Sequence, residues 1–164
     1  SEARLARWED FSIEDKCWHI PDGSERDLHK ASQSYRVPLT PLAIKILKAA
    51  GPKESGRIWS IDKGTQVPDP YVSCIPKMLG YNADAHGMRG TFRTWIQEPE
   101  AGRWSDDAVR ITMKHSLKDK VTAAYAKGDC YEERAKLLKA WEDWITKAKG
   151  HTADVIPMRR RASK

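Results

Sequence analysis

The stretch HGMRGTFRTWIQ, residues 86–97, opens the helical half of the chain. From there onward the sequence favours helices almost without interruption. Arg89–Gln97 forms one predicted segment and Asp106–Lys114 forms a second. Lys118–Lys127 forms a third, which we expect to end at Gly128 because glycine readily adopts the backbone conformation that closes many helices.

A longer helix is predicted after these segments. Asp129 and Glu132 have the spacing of a capping box, in which two side chains satisfy the free N–H groups of the first turn. The apolar face of this helix is predicted to consist of Leu137, Leu138, Trp141, Trp144, Ile145 and Ala148. The tail that follows contains Arg159–Arg161, and we expect it to be unfolded and solvated.

The first part of the chain carries a predicted β-hairpin. Cys17–Pro21 and Ser34–Leu39 have the character of two short strands. The polar stretch Asp22–Gln33 lies between them, so the pair is predicted to form a hairpin with a long tip. Thr40 then has the properties of a helix cap, with Pro41 at the first helical position.

Two further helices complete the predicted fold. The one after Thr40 ends at Gly51, and another spans Tyr71–Leu79 and stops at Gly80. Between them, Gly51–Pro70 is predicted to be loop with one short extended piece at Ile58–Trp59. The fold class is therefore mainly α with a small antiparallel β-hairpin. We expect one domain over residues 1–150 and a basic tail over 151–164.

The composition is that of a globular protein, with 164 residues of which 40% are apolar. No run of about 18 apolar residues occurs, so no membrane span is predicted. The formal net charge of +6 favours, weakly, a polyanionic partner. Cys17, Cys74 and Cys130 are far apart and form no C-x-x-C pair, which is typical of reduced thiols in the cytoplasm.

The pair His86 and Arg89 is the first candidate for chemistry. An H-x-x-R run at the start of a helix places the two side chains one turn apart. Arginine suits a phosphate ligand because its planar guanidinium donates two parallel hydrogen bonds. Taken alone, however, the motif is more typical of a capped helix with a surface arginine.

Three other candidates are equally ordinary when each is taken alone. His115 is most simply a packed or surface histidine. Tyr125, beside two alanines, is most simply a packing residue, and Lys30 is most simply a solvated lysine of the hairpin tip. Small neighbours would nevertheless let the backbone around Tyr125 approach a phosphate closely. No histidine or cysteine pair has a tight metal-ligand spacing, and no glycine-rich phosphate loop occurs, so neither a metal nor a cofactor is predicted.

The order of these residues resembles the tyrosine recombinase family, specifically the prophage and genomic-island integrases. The resemblance extends from residue 1 to about 145. It is carried by the following stretches: Glu2–Asp10; Trp18–Pro21, Lys30 and Arg36–Thr40; His86–Trp95; Lys114–His115; Ala123–Tyr125; and Trp141–Trp144. The resemblance implies the fold of that family's catalytic domain and an enzyme that cuts and rejoins duplex DNA during integration.

The resemblance also implies a role for each site residue. Tyr125 would attack a DNA phosphate and form a 3′-phosphotyrosyl bond, without ATP, metal or cofactor. His86 would help manage the proton of the nucleophile, and Arg89 would stabilise charge on the non-bridging oxygens. His115 would hydrogen-bond the same phosphate, and Lys30 would protonate the departing 5′-oxygen. Self-association on DNA is expected as well.

Two departures from the family pattern accompany this resemblance. The family uses two phosphate-binding arginines, and the first would lie about three positions before Glu2, upstream of Ser1. Arg4 and Arg7 lie in the corresponding helix but in the wrong register. Since Ser1 is also not an initiator Met, we expect a piece of a longer protein with upstream DNA-binding modules. Tyr35 replaces a histidine found in many relatives, and we expect this to be a packing detail.

Three alternatives remain open at this point. The same fold would serve as an inert, DNA-binding remnant if the first arginine is absent. A type IB topoisomerase-like enzyme would share the tyrosine chemistry without exchange of partner strands. A small helical interaction domain would have no role on DNA. A covalent Tyr125–DNA adduct separates the two enzymes from the binding-only alternatives, and strand exchange separates recombinase from topoisomerase.

Overall fold

The computed structural model describes residues 2–21, 35–61, 65–114 and 128–147. Within these ranges the chain is mostly helical with a small antiparallel sheet, as the sequence predicts. The helices are α1 (Glu2–Leu5), α2 (Pro41–Ala49), α3 (Asp69–Met78), α4 (Ala85–Trp95), α5 (Asp106–Thr112) and α6 (Tyr131–Lys147). The strands are β1 (Phe11–Ser12), β2 (Cys17–Ile20), β3 (Tyr35–Pro38), β4 (Ser60–Ile61) and β5 (Thr65–Gln66).

The predicted hairpin is confirmed as the centre of a three-stranded sheet. Strand β2 pairs antiparallel with β3, so that Cys17 lies opposite Pro38 and Ile20 lies opposite Tyr35. Strand β1 adds to the other edge of β2. The predicted hairpin tip, Asp22–Gln33, lies outside the described residues, and so does Lys30.

The helix signals around α2 and α3 are also confirmed. The Thr40 hydroxyl accepts a hydrogen bond from the Ala43 N–H, and Pro41 occupies the first turn of α2. Gly51 and Gly80 follow α2 and α3 with φ angles of 79° and 86°, the left-handed conformation that a helix end requires.

The prediction of an extended piece at Ile58–Trp59 was wrong in position, since the strand in this region is Ser60–Ile61. The structure instead forms a separate two-stranded ribbon from β4 and β5, in which Ser60 pairs with Gln66. All four strand residues are exposed. Half-buried strands are predicted from an alternation of apolar and polar residues. Two exposed strands of two residues each show no such alternation, so the sequence gives no periodic signal for this ribbon.

The capping box predicted for the last helix was wrong as well. Helix α6 begins at Tyr131, which places Cys130 rather than Asp129 directly before it. The Asp129 carboxylate accepts two hydrogen bonds from Arg36 on β3 instead. A tertiary ion pair has thus replaced the local cap.

Two apolar clusters hold these elements together. The first joins α4, α5 and α6 through Phe92, Trp95, Ala101, Met113 and Leu137, with Trp141 and Trp144 packed against them. The second joins the sheet to α2 through Trp8, Leu39 and Leu47. Over the described ranges, no helix combines the length and apolar character needed to cross a membrane.

Candidate functional site

His86 and Arg89 both lie on the first turns of α4. The Asp84 side chain caps this helix and accepts a 2.6 Å hydrogen bond from the Gly87 N–H. His86 is the second helical residue, and Arg89 follows it by three positions, so the two side chains share one face. Both are exposed to solvent. The structure therefore brings this predicted pair together on an accessible surface.

The opposite face of α4 is firmly anchored in the protein. Phe92 and Trp95 are buried in the first apolar cluster. The Phe92 ring meets Trp141 of α6 edge-on, with ring centroids 5.3 Å apart. Trp95 lies 5.1 Å from the same Trp141 ring. The second half of α4 is thus fixed by aromatic packing, and this fixes the direction in which the first half presents His86 and Arg89.

The exposed face of α4 is basic. Arg93 lies one turn beyond Arg89 and is also exposed. Among the residues that the structure describes, neither arginine has an acidic side chain within ion-pair distance. The Asp84 carboxylate already caps the start of α4, so the positive charge of this face comes from the two arginines. This surface is therefore suited to an anionic group such as a phosphate.

The other predicted site residues lie outside the described ranges. These are Lys30, His115 and Tyr125. Their approach to His86 and Arg89 accordingly stays a prediction.

The two N-terminal arginines form contacts within the fold. Arg4 donates a 3.0 Å hydrogen bond to the Val67 carbonyl. Arg7 donates to the Glu9 carboxylate, and this bond is the main reason that the pKa of Glu9 falls to about 2.

A polar network around Arg134 was not predicted from the sequence. Arg134 is completely buried on α6. It donates hydrogen bonds to the Tyr35 hydroxyl and the Arg36 carbonyl, each at 2.8 Å, and to the Asp129 carbonyl at 3.2 Å. Its guanidinium carbon lies 4.8 Å from the centre of the Tyr35 ring. The cation is therefore held by three oxygen acceptors and an aromatic face.

Tyr35 connects this network to helix α5. Its hydroxyl donates to the Ile111 carbonyl in the last turn of α5. The Lys114 ammonium lies 5.3 Å from the Tyr35 ring centre and also donates to Glu2, at 2.6 Å. Burial raises the pKa of Tyr35, so the hydroxyl stays neutral and available as a donor. Tyr35 is thus a polar link between three elements and more than a packing detail.

Arg36 and Asp129 form the exposed side of the same network. Two hydrogen bonds of 2.9 Å join the guanidinium to the two carboxylate oxygens. Arg36 also lies over the Tyr131 ring, 4.6 Å from its centre. Burial alone would raise the pKa of Asp129, but the hydrogen bonds and charge of Arg36 outweigh it and hold the pKa below its ordinary value.

The sequence contained one signal that Arg134 is buried. Arg134 precedes Leu137 by three positions and Trp141 by seven, so it lies on the apolar face predicted for the last helix. A charged residue on such a face indicates a buried partner, because an unpaired buried cation is costly.

The described residues contain no group of three or more His, Cys, Asp or Glu side chains that is arranged to hold a metal ion. Each of the three cysteines is a free thiol. Cys17 is buried, Cys130 is half-buried and Cys74 is exposed.

Comparison with known proteins finds that the chain is similar to phage and prophage integrases. The chain is 31% identical to the putative protein IntB of Escherichia coli K12, over 88% of this chain and 40% of IntB. It is 29% identical to the integrase of enterobacteria phage P4, over 88% of this chain and 36% of that integrase. It is 25% identical to the prophage integrase IntA of Escherichia coli K12, over 90% of this chain and 36% of IntA.

These similarities confirm the resemblance to the phage and prophage integrases that the sequence predicts. The chain spans 36–40% of the length of these relatives. No family model matches the chain. No solved structure matches it either.

Proposed function

We propose that the chain is the catalytic domain of a tyrosine recombinase that cuts and rejoins duplex DNA when a prophage or genomic island is integrated in the cytoplasm. The observation that carries this proposal is the placement of His86 and Arg89. They share an exposed, basic face of α4, whose opposite face is anchored by Phe92 and Trp95. The similarity to integrases over most of the chain supports the proposal further.

In the proposed reaction, the Tyr125 oxygen attacks a DNA phosphorus atom. A phosphorus–oxygen bond to the tyrosine forms, and the bond to the 5′-oxygen of the next nucleotide breaks. The tyrosine proton passes to His86 or to solvent, and Lys30 gives a proton to the departing oxygen. A free 5′-hydroxyl then attacks the phosphotyrosine in reverse, so the backbone is rejoined without an external energy source.

Arg89 supplies the electrostatic part of this mechanism. Negative charge on the non-bridging oxygens increases as the phosphorus becomes five-coordinate. A guanidinium that is already in place stabilises this charge more effectively than water, because no reorganisation is needed during the reaction. The anchoring of α4 explains how Arg89 is kept in position, and His115 would donate a further hydrogen bond to the same phosphate.

Duplex DNA is the proposed partner of the basic face. Each lysine or arginine that contacts a phosphate releases counterions, so binding is expected to weaken steeply as salt rises. Arg93, one turn from Arg89, would contact a neighbouring phosphate. Self-association on DNA belongs to the same proposal, since integration joins two duplexes.

A trapping experiment tests the proposal. The full-length protein is incubated with nicked duplexes made from the DNA that flanks its own gene, and products are separated on a denaturing gel. A nick near the cleavage site releases the 5′-hydroxyl fragment and prevents rejoining, so a covalent adduct accumulates. We expect the adduct for the wild-type protein and its absence for Tyr125→Phe.

Three outcomes distinguish the alternatives. DNA binding without any adduct favours an inert binding remnant of the same fold. An adduct that survives Tyr125→Phe rules out this tyrosine as nucleophile. If the protein forms the adduct and also relaxes an intact supercoiled plasmid, but exchanges no strands between two duplexes, a topoisomerase-like enzyme is favoured.

A further inference from the structure

We propose that Tyr35, held by Arg134, is a positioning residue for segment 115–127, which contains both His115 and Tyr125. This inference rests on the proposed function, in which these two residues act on the scissile phosphate. It is carried by the contacts of the described residues that lie immediately before and after the segment. Together these contacts connect both ends of the segment to strand β3.

The chain enters the segment beside Tyr35. The Tyr35 hydroxyl donates to the Ile111 carbonyl, three residues before Lys114. Lys114 itself lies against the Tyr35 ring and forms an ion pair with Glu2, and both of these charged side chains are largely buried. The end of α5 is thereby fixed to β3 and α1 at the residue directly before His115.

The chain leaves the segment beside Arg36 and Arg134. The Asp129 carbonyl accepts from Arg134, while its carboxylate accepts from Arg36. Arg134 in turn donates to the Tyr35 hydroxyl. The Tyr35 hydroxyl is therefore bonded to residues on both sides of the segment. It donates to the Ile111 carbonyl before the segment and accepts from Arg134 after it.

The backbone at both ends has an unusual conformation. Lys114 and Cys130 have φ angles of 50° and 49°, in the left-handed region that non-glycine residues seldom adopt. Lys114 has this conformation just after the end of α5, where it commonly closes a helix, and Cys130 has it directly before α6. The Tyr35 bond to the Ile111 carbonyl and the Arg134 bond to the Asp129 carbonyl lie next to these two positions.

This arrangement matters for catalysis because a nucleophile must be held close to its line of attack. A displacement of about 1 Å in such a group costs on the order of 100-fold in rate. Helix α4 is fixed by its aromatic packing, so in the proposed site the contacts on either side of segment 115–127 would determine how Tyr125 is presented to Arg89. Tyr35 acts through the backbone and is not itself a catalytic residue.

Tyr35→Phe tests the proposal, because it removes the shared hydroxyl and keeps the ring. Tyr131→Phe is a matched control. It loses a hydroxyl that donates to the Lys16 carbonyl, away from α5 and Arg134. Both variants are made in the full-length protein, and thermal unfolding verifies that they fold. Three quantities are measured for each: the rate of adduct formation on the nicked duplex, the affinity for that duplex, and amide hydrogen exchange in peptides that cover 115–127.

We expect Tyr35→Phe to slow adduct formation roughly 10-fold or more. Its DNA affinity should stay within about twofold of wild type, because no phosphate contact is lost. Exchange in peptides 115–127 should become faster, and Tyr131→Phe should match wild type in all three measurements.

If Tyr35→Phe forms the adduct at the wild-type rate and its amide hydrogens in 115–127 also exchange at the wild-type rate, the positioning role is wrong and the proposed function stays intact. Equal slowing by both variants would overturn the positioning role too, since a general loss of rigidity would then explain the effect. A wild-type protein without any adduct would overturn the proposed function. In that case the exchange comparison still decides whether Tyr35 holds the segment.

Discussion

The guanidinium of Arg134 donates a 2.8 Å hydrogen bond to the hydroxyl of Tyr35, and both groups lie between α6 and the sheet. Arg134 has no exposed surface, so its charge must be balanced inside the protein. Two backbone carbonyls, a hydroxyl and an aromatic ring provide this balance, with the Asp129 carboxylate 3.9 Å away. The network therefore connects helix α6, strand β3 and the end of α5 in one structural unit.

Replacing Arg134 with Met is expected to be strongly destabilising. The change leaves the Arg36 and Asp129 carbonyls without their donor and removes one bond from the Tyr35 hydroxyl. Each buried carbonyl that is left without a donor costs about 1–3 kcal/mol of unfolding free energy. Urea denaturation followed by tryptophan fluorescence measures the loss.

Lys136→Met is the control for this variant. Lys136 lies on the exposed face of the same helix, so its replacement should change the unfolding free energy by less than about 0.5 kcal/mol. A similar loss in both variants would show that the effect belongs to helix α6 in general and not to the buried network.

Trp141→Ala tests the aromatic packing that anchors α4. Trp141 contacts the rings of Phe92, Trp95 and Trp144. This placement favours a loss of core stability, of about 3 kcal/mol, over an effect confined to assembly. Ile145→Ala, one turn further along and 43% exposed, should cost clearly less. Equal unfolding midpoints for wild type and Trp141→Ala would exclude an anchoring role for this ring.

Local signals in the sequence predict much of the fold, because the forces involved are local. The cap at Thr40, the glycines that close α2 and α3, and the β2–β3 pair follow from neighbouring residues and are all confirmed. Asp129 shows the limit of this approach. Its spacing to Glu132 favours a cap, but Arg36, distant in sequence, binds the carboxylate instead.

The same limit applies to the candidate site. The spacing of His86 and Arg89 is sufficient to predict their common face, since one helix carries both. The role of Tyr35 could not be predicted in this way, because its partners lie on α5 and α6, far away along the chain. Only the charged residue on the apolar face of α6 gave a signal that a buried partner exists.

The ion pair of Arg36 with Asp129 predicts a dependence of stability on pH. The folded-state pKa of Asp129 is lower than its ordinary value of 3.8. The pair therefore stabilises the fold fully above that value, and this contribution is lost as the pH falls through the folded-state pKa. Both side chains are partly exposed, so we expect about 0.5–1 kcal/mol.

Comparing Arg36→Gln with wild type by urea denaturation from pH 7 to pH 2.5 measures this contribution. The difference in unfolding free energy should be constant near neutral pH and shrink below pH 3.8. Lys45→Gln removes an equal charge from the exposed side of α2 and serves as control. A difference for Arg36→Gln that persists undiminished at pH 2.5 would mean that the carboxylate is not its source.

Arg89→Lys separates the proposed catalytic role of Arg89 from simple attraction of the basic face to DNA. Lysine keeps the positive charge but lacks the planar pair of donors that matches a phosphate. We expect DNA affinity to change little, while adduct formation on the nicked duplex falls on the order of 10²–10³-fold, as for other preorganised donors to a transition state. Arg93→Lys, one turn away on the same face, is the matched control and should retain nearly wild-type rates. Since both variants keep the charge of the face, their salt dependence of binding should also match wild type. Equal rates for Arg89→Lys and Arg93→Lys would remove Arg89 from the active site and leave it as one of several phosphate contacts.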